Sequence, residues 1–146
     1  MSYWDTGCLV KLYTPAPNSA QFSSYLAANS TCVTADLAPL EFWATVRRKE
    51  AEGLLAAGEA QKVQTAFESD IDAGLIQVQA SDESVRKEYH DLVDRCLAAT
   101  PPIYIRTNDA LHLAAAKVAG ETEIVATDKR MREAALLLGF SVFPPV

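Results

Sequence analysis

Four acidic residues stand at the borders of apolar segments. Asp5 ends the run "SYWD", Glu41 sits inside "LAPLEFWATVRR", Asp109 opens "NDALHLAAA", and Asp128 directly follows "EIVAT". A buried ionised carboxylate is unfavourable unless it is paired, hydrogen-bonded or bound to a metal. Four of them aimed into one cleft would repel each other strongly unless a cation lay between them. Ligand sets made only of hard oxygens favour Mg²⁺ or Mn²⁺ over zinc. Such ions activate a water and stabilise the leaving oxygen when a phosphodiester is hydrolysed.

Each acid also has a plainer reading. Asp is a favoured helix N-cap, which would suffice for Asp5, Asp109 and Asp128 taken singly. Glu41 falls among Leu37, Leu40, Ala44 and Arg48 at helical spacings of three and four, which sets it among apolar residues rather than on a solvated face. A salt bridge to Arg47, Arg48 or Lys11 would account for it without a metal.

The elements that must position these residues alternate. A short strand "SYWD" precedes a short helix, and a helix capped by Asn18 or Ser19 runs to about Asn29. Then come the β-branched strand "TCVTA", a helix from Asp36 with Pro39 in its first turn, and a second helix stopped by Gly74. "LIQVQA" alternates as a strand, and a long helix with a capping box near Ser81–Ser84 follows, with Val85, Tyr89, Leu92, Val93 and Cys96 on one side. "PPIYIR" reads as a loop with some strand character. The helix of Asp109 should bury Leu111, Ala114, Ala115 and Val118, and the helix after Asp128 should bury Met131, Ala134, Ala135 and Leu138. "FSVFPP" is the last strand. Strands alternating with helices predict βαβ units: an α/β, three-layer α/β/α sandwich around a mainly parallel sheet.

The 146 residues suit one domain, 1–146, with a core that needs no disulfides. Cys8, Cys32 and Cys96 are odd in number and lack metal spacing, so they read as reduced core thiols of a cytoplasmic protein. The start "MSYWDTGCLV" lacks a signal peptide's basic region, and no apolar run is long enough to span a membrane. The net charge of −6 argues against passive, charge-driven nucleic-acid binding. It leaves open an enzyme in which a cation supplies the local positive charge.

The blocks "YWDTGCLVKLY", "TADLAPLEFWATVRR", "RTNDALHLAAAKVAG" and "IVATDKRMREAALLLGFSVF" resemble the PIN-domain family, especially the VapC-type toxins of toxin–antitoxin pairs. The resemblance runs through nearly the whole chain, and "DALHLA" and the strand–Thr–Asp–helix block are its more specific pieces. It implies a Mg²⁺- or Mn²⁺-dependent endoribonuclease acting on RNA. Asp5, Glu41, Asp109 and Asp128 fall on the family's acidic positions, as catalytic and metal-holding residues. It also implies a homodimer and a cognate antitoxin whose tail fills the acidic cleft. One departure stands out: the first block usually reads Asp-Thr/Ser-Ser, and here the third residue is Gly7. Thr6 and Thr127 remain as supporting hydroxyls.

Smaller signals are weaker. His112 follows Asp109 by three residues, and a lone His in an Ala/Leu helix is more often packed than catalytic. His90, Asp70, Asp72, Asp91 and Asp94 read as solvated helix faces. Arg47, Arg48, Lys129 and Arg130 lie near two of the acidic blocks and suit phosphate contacts, or plain surface charge. In "FWATV" the aromatics read as core or dimer packing rather than base stacking. Two other functions fit the same pattern: a non-catalytic PIN-like module binding RNA or protein, and another metal-dependent phosphohydrolase. The first block lacks the second Asp of the DxD nucleophile motif of haloacid-dehalogenase-like phosphatases.

Overall fold

The computed structural model describes residues 2–29 and 32–146. Strand β1 (Ser2–Trp4) leads into α1 (Thr6–Tyr13) and α2 (Ser19–Asn29). Strand β2 (Cys32–Ala35) precedes a helix pair, α3 (Ala38–Ala51) and α4 (Glu59–Asp72). Strand β3 (Ile76–Gln79) is followed by α5 (Glu83–Ala98) and α6 (Thr107–Val118). The chain ends with β4 (Glu123–Val125), α7 (Lys129–Leu137) and β5 (Ser141–Phe143). All pairings are parallel, in the order β3-β2-β1-β4-β5.

The central strands are buried on both faces, and their two-residue period sorts side chains into two cores. Tyr3, Val33, Ile124 and Val142 pack under α5, α6 and α7. Trp4, Cys32, Val125 and Phe143 pack against α1–α4. This is the expected three-layer sandwich. Cys8, Cys32 and Cys96 are buried free thiols. Among the described residues, no helix is long and apolar enough to cross a membrane.

Five expectations need correction. Helix α6 lies between α5 and the sheet and is buried nearly all round: Ala110 and the run from His112 to Ala116 are buried, Leu111 is partly covered, and Val118 is exposed. Helix α3 buries Ala38, Phe42 and Val46, whereas Leu40 is 76% exposed. Its inward face is thus set by contact with α1 and α4 rather than by the Leu37–Leu40–Ala44 stripe. The segment "PPIYIR" forms no strand, and Asp82 rather than a serine caps α5, accepting from Val85 N–H. Asp70 is half-buried, where its carboxylate accepts from the Tyr13 hydroxyl; Asp72, Asp91, Asp94 and His90 are exposed as expected.

Phe42 joins α3 to α4. Its ring stacks on Phe67 with centroids 4.1 Å apart, and Tyr13 of α1 meets both rings edge-on. Because α3 also carries Glu41, this cluster fixes the height of that carboxylate over the sheet. Phe42→Ala should therefore destabilise the protein by about 3–5 kcal/mol in urea unfolding. A loss well under 1 kcal/mol would mean that the stack does not hold the layer together.

Candidate active site

The strand order reverses between β1 and β4, which opens a crevice beyond their carboxyl ends. Asp5 follows β1 directly, and its backbone N–H donates to the Val125 carbonyl at 3.0 Å. It holds the N-cap position of α1, yet its side chain caps no backbone N–H. Asp128 lies just past β4 and does cap α7, with Oδ1 accepting from Met131 N–H at 2.9 Å. Asp109 is not a cap: Arg106 holds that position, and Asp109 sits within the first turn of α6. Glu41 lies in the first turn of α3. The plain capping reading thus holds for Asp128 alone.

Glu41 is the most constrained of the four. Its Oε1 accepts from Thr6 Oγ1 at 2.8 Å and from His112 Nε2 at 2.6 Å, and its Oε2 accepts from Asn108 Nδ2 at 3.3 Å. The partner that neutralises it is therefore His112, not Arg47, Arg48 or Lys11. His112 is fully buried, and its Nδ1 lies 2.5 Å from the Tyr3 hydroxyl. That hydroxyl donates to a neutral ring and accepts from a charged one, so Tyr3 serves both states. The expectation of a packed, hydrogen-bonded histidine holds, with one addition: its partner is an acid of the site.

The charges are strongly coupled. Burial raises the pKa of Asp5 above 3.8, and Asp109 and Glu41 raise it further, while His112 works against the rise. Burial pushes His112 down, but the Glu41 hydrogen bond and the charges of Asp5, Glu41 and Asp109 outweigh it and leave the pKa above 6.5. Burial likewise pushes Glu41 up, and its bonds to His112, Thr6 and Asn108 bring it below 4.5. Next to Asp5, burial raises the Cys8 thiol to about 12, so it stays protonated and inert.

Arg106 links the remaining two acids. Its Nε donates to Asp109 Oδ2 at 3.2 Å and its Nη2 to Asp128 Oδ2 at 3.4 Å. It lines two cavities. One, of about 380 Å³, also touches Asp128, Lys129 and Arg130; the other, of about 360 Å³, touches Glu41, Asn108 and Asp109. Lys129 and Arg130 are thereby brought to the site. Arg47 and Arg48 are not: they lie about 9–10 Å further along α3 from Glu41. Arg47 pairs with Glu50 and covers Trp43. Thr6 supports Glu41 directly, whereas Thr127 is exposed beside Asp128, near the Cys8 thiol.

The donor chemistry fits a hard divalent cation, since the four acids offer only carboxylate oxygens. As the side chains stand, no group of three or more His, Cys, Asp or Glu among the described residues is placed to hold a metal. Arg106 engages Asp109 and Asp128, and His112 and Thr6 share one oxygen of Glu41. An ion held by those Oδ2 atoms of Asp109 and Asp128 would take the place of Arg106 there. At Gly7, an added Cβ would meet only Asp5 Oδ2, at 3.8 Å. The missing hydroxyl is thus an open place beside Asp5, not a steric necessity.

Tyr3, Arg106 and Asn108 were not singled out from sequence. Arg106, Asp109 and His112 recur every third residue, and Asn108 and His112 are four apart. That helical spacing was the available signal: it puts each set on one face of α6.

Two outcomes follow. His112, raised above 6.5, contributes stability that is complete below pH 6.5 and is lost as pH rises through the folded value. Glu41, lowered from 4.5, contributes above pH 4.5 and loses that on acidification through the folded value. Asp5, raised from 3.8, opposes folding once it must ionise. The metal-free protein should therefore melt higher between about pH 4.5 and 6.5 than at pH 8, and His112→Asn should reduce that slope; a flat wild-type profile would contradict the coupling. Separately, Gly7→Ser should raise the melting temperature, by about 0.5 kcal/mol of stability through helix propensity. A lower melting point would show crowding at Asp5 instead.

The PIN domain family model matches residues 2–137. No curated relative matches the chain. Among solved structures, FitAB bound to the IR36 DNA fragment aligns with a TM-score of 0.70 at 21% identity, covering 98% of this chain and 94% of that one. VapBC2 from Rickettsia felis, bound to a DNA fragment from their promoter, gives 0.67 at 14% identity and 97% coverage of both. FitAcB from Neisseria gonorrhoeae gives 0.65 at 22%, covering 99% and 98%. These three likenesses concern the fold. The family match spans nearly the whole chain, including all four acids at the sheet's carboxyl edge, and the chain belongs to the PIN-domain family.

Proposed function

We propose that the protein is a Mg²⁺- or Mn²⁺-dependent endoribonuclease, the toxin of a toxin–antitoxin pair. The observation that carries this reading is the electrostatic cluster of Asp5, Glu41 and Asp109, joined to Asp128 through Arg106, at the switch point of a PIN fold. Asp5, Glu41, Asp109 and Asp128 would hold the metal and act as the catalytic acids. When bound, the ion lowers the pKa of a water and offsets charge building on the phosphate.

The chain's own residues do the remaining work. Thr6, Asn108 and His112 fix the Glu41 carboxylate, and Tyr3 fixes His112. Lys129 and Arg130 line the cavity beside Asp128 and would suit phosphate oxygens there. An RNA substrate suits this arrangement better than passive nucleic-acid binding, because the −6 charge repels a polyanion everywhere except at these cations and a bound ion. A cognate antitoxin is in keeping with the solved likenesses FitAB and VapBC2, and its basic tail would suit the acidic cleft. We read the chain as one domain, working as a homodimer in the cytoplasm.

The test is cleavage of a labelled RNA pool by the purified protein with Mg²⁺, Mn²⁺ or EDTA, beside Asp5→Asn. Metal-dependent cutting should fall by about 10³-fold or more in the variant, as when a charge-stabilising catalytic group is removed. Millimolar Mn²⁺ should raise the melting temperature of the wild type and shift the variant much less. Turnover of a phosphomonoester with no cutting of RNA would replace this reading with a phosphatase. Intact RNA together with no Mn²⁺ shift would replace it with a binding module.

A further inference from the structure

Building on the metal-nuclease reading, we propose that Arg106 is a two-position catalytic guanidinium. In the metal-free protein it bridges Asp109 and Asp128; once a divalent cation takes those acids, it grips a backbone phosphate of the RNA.

The resting position is suited to being left. Arg106 makes single contacts, Nε to Asp109 and Nη2 to Asp128, at 3.2 and 3.4 Å, so its planar fork is spread over two acids rather than closed on one. Its side chain is 67% exposed. Among the described residues, these two carboxylates are its only side-chain partners. Exposed ion pairs of this kind are weak and are screened by salt. A compact double charge at the same oxygens outcompetes a delocalised single charge that reaches them from outside.

The second position follows from the cavities. Arg106 lines both and lies on the boundary between them. With the guanidinium withdrawn from the acids, the ground between the two spaces opens beside Asp109 and Asp128, and beyond Asp128 it is lined by Lys129, Arg130 and Glu133, whose carboxylate lies 3.9 Å from the Lys129 ammonium. The nearest anion-binding ground for a freed arginine is beside those two cations, where phosphate would pass. A planar guanidinium can hold two phosphate oxygens at once, which a lysine cannot do.

The fold does not need the bridge. Asp128 caps α7 through Oδ1, leaving Oδ2 to Arg106, and Arg106 serves α6 as N-cap through its backbone alone. Removing the side chain therefore tests function and not folding. It should also act in opposite directions on the two ligands, because the arginine competes with metal but assists RNA.

The experiment compares wild type, Arg106→Gln and Arg106→Lys. Mn²⁺ affinity is measured by calorimetry without RNA, and cleavage of a short labelled single-stranded RNA is followed under single-turnover conditions at saturating Mn²⁺. Arg106→Gln should bind Mn²⁺ about threefold tighter, as expected on losing weak exposed pairs, and should cut RNA about tenfold slower or worse. Arg106→Lys should bind Mn²⁺ much as wild type does and retain part of the cutting rate. Unchanged or weaker Mn²⁺ binding in Arg106→Gln would overturn the resting position. Tighter binding with unchanged or faster cutting would overturn the phosphate contact and leave a simple counter-ion. A wild type that neither binds Mn²⁺ nor cuts RNA would overturn the nuclease reading, and this proposal with it; a wild type that does both, beside an unaltered variant, would overturn Arg106 alone.

Discussion

Like charges forced together at one edge of a sheet are the constraint from which the rest of this structure follows. Burial raises the pKa of Asp5, the charges of Asp109 and Glu41 raise it further, and Asp5 and Glu41 are partly withdrawn from water. Without positive charge nearby, such a group would protonate or push the helices apart. The chain supplies two nitrogen partners of opposite character. His112 is buried and locked between a phenol and a carboxylate; Arg106 is exposed and lightly held. The first is part of the architecture. The second neutralises the cleft from its mouth.

The buried histidine also explains why the layers meet as they do. Glu41 and Thr6 come from the helices on one face of the sheet, His112 and Asn108 from the helix on the other, and Tyr3 from the strand between. A hydrogen-bonded chain therefore runs across all three layers at the crevice. Low local polarity strengthens each of its bonds and makes any orphaned member unfavourable. Apolar packing sets the distance between layers, as in the Phe42–Phe67 stack, while this polar chain sets their alignment.

Much of this was legible in the sequence. Strand alternation, β-branched runs and the position of Asp5 and Asp128 after strands follow from local chemistry, and they sufficed for the parallel three-layer fold. What failed to show was orientation. Leu40 looked like core because its spacing to Leu37 and Ala44 is helical, but which stripe turns inward depends on the neighbouring helices. Arg106 was hidden in "PPIYIR", which reads as a loop with some strand character, although its side chain belongs with the helix that follows. Glu41 needed a partner, and nearby basic residues were the obvious candidates; the one it has is 71 residues away, the lone His of an Ala/Leu helix that read as packing. Long-range pairing of this kind leaves no periodic trace.

Strand β1 is three residues long, yet it feeds both cores and the crevice: Tyr3 faces one helical layer, Trp4 the other, and Asp5 begins where they end. Displacing it by one residue would send the indole and the phenol to opposite faces. The same slip would leave His112 without its hydroxyl and draw Asp5 away from Val125. Register and chemistry therefore fail together. A chain that has paired its strands wrongly cannot assemble a partial cleft, so competence appears only in the finished fold and serves as a built-in inspection of it.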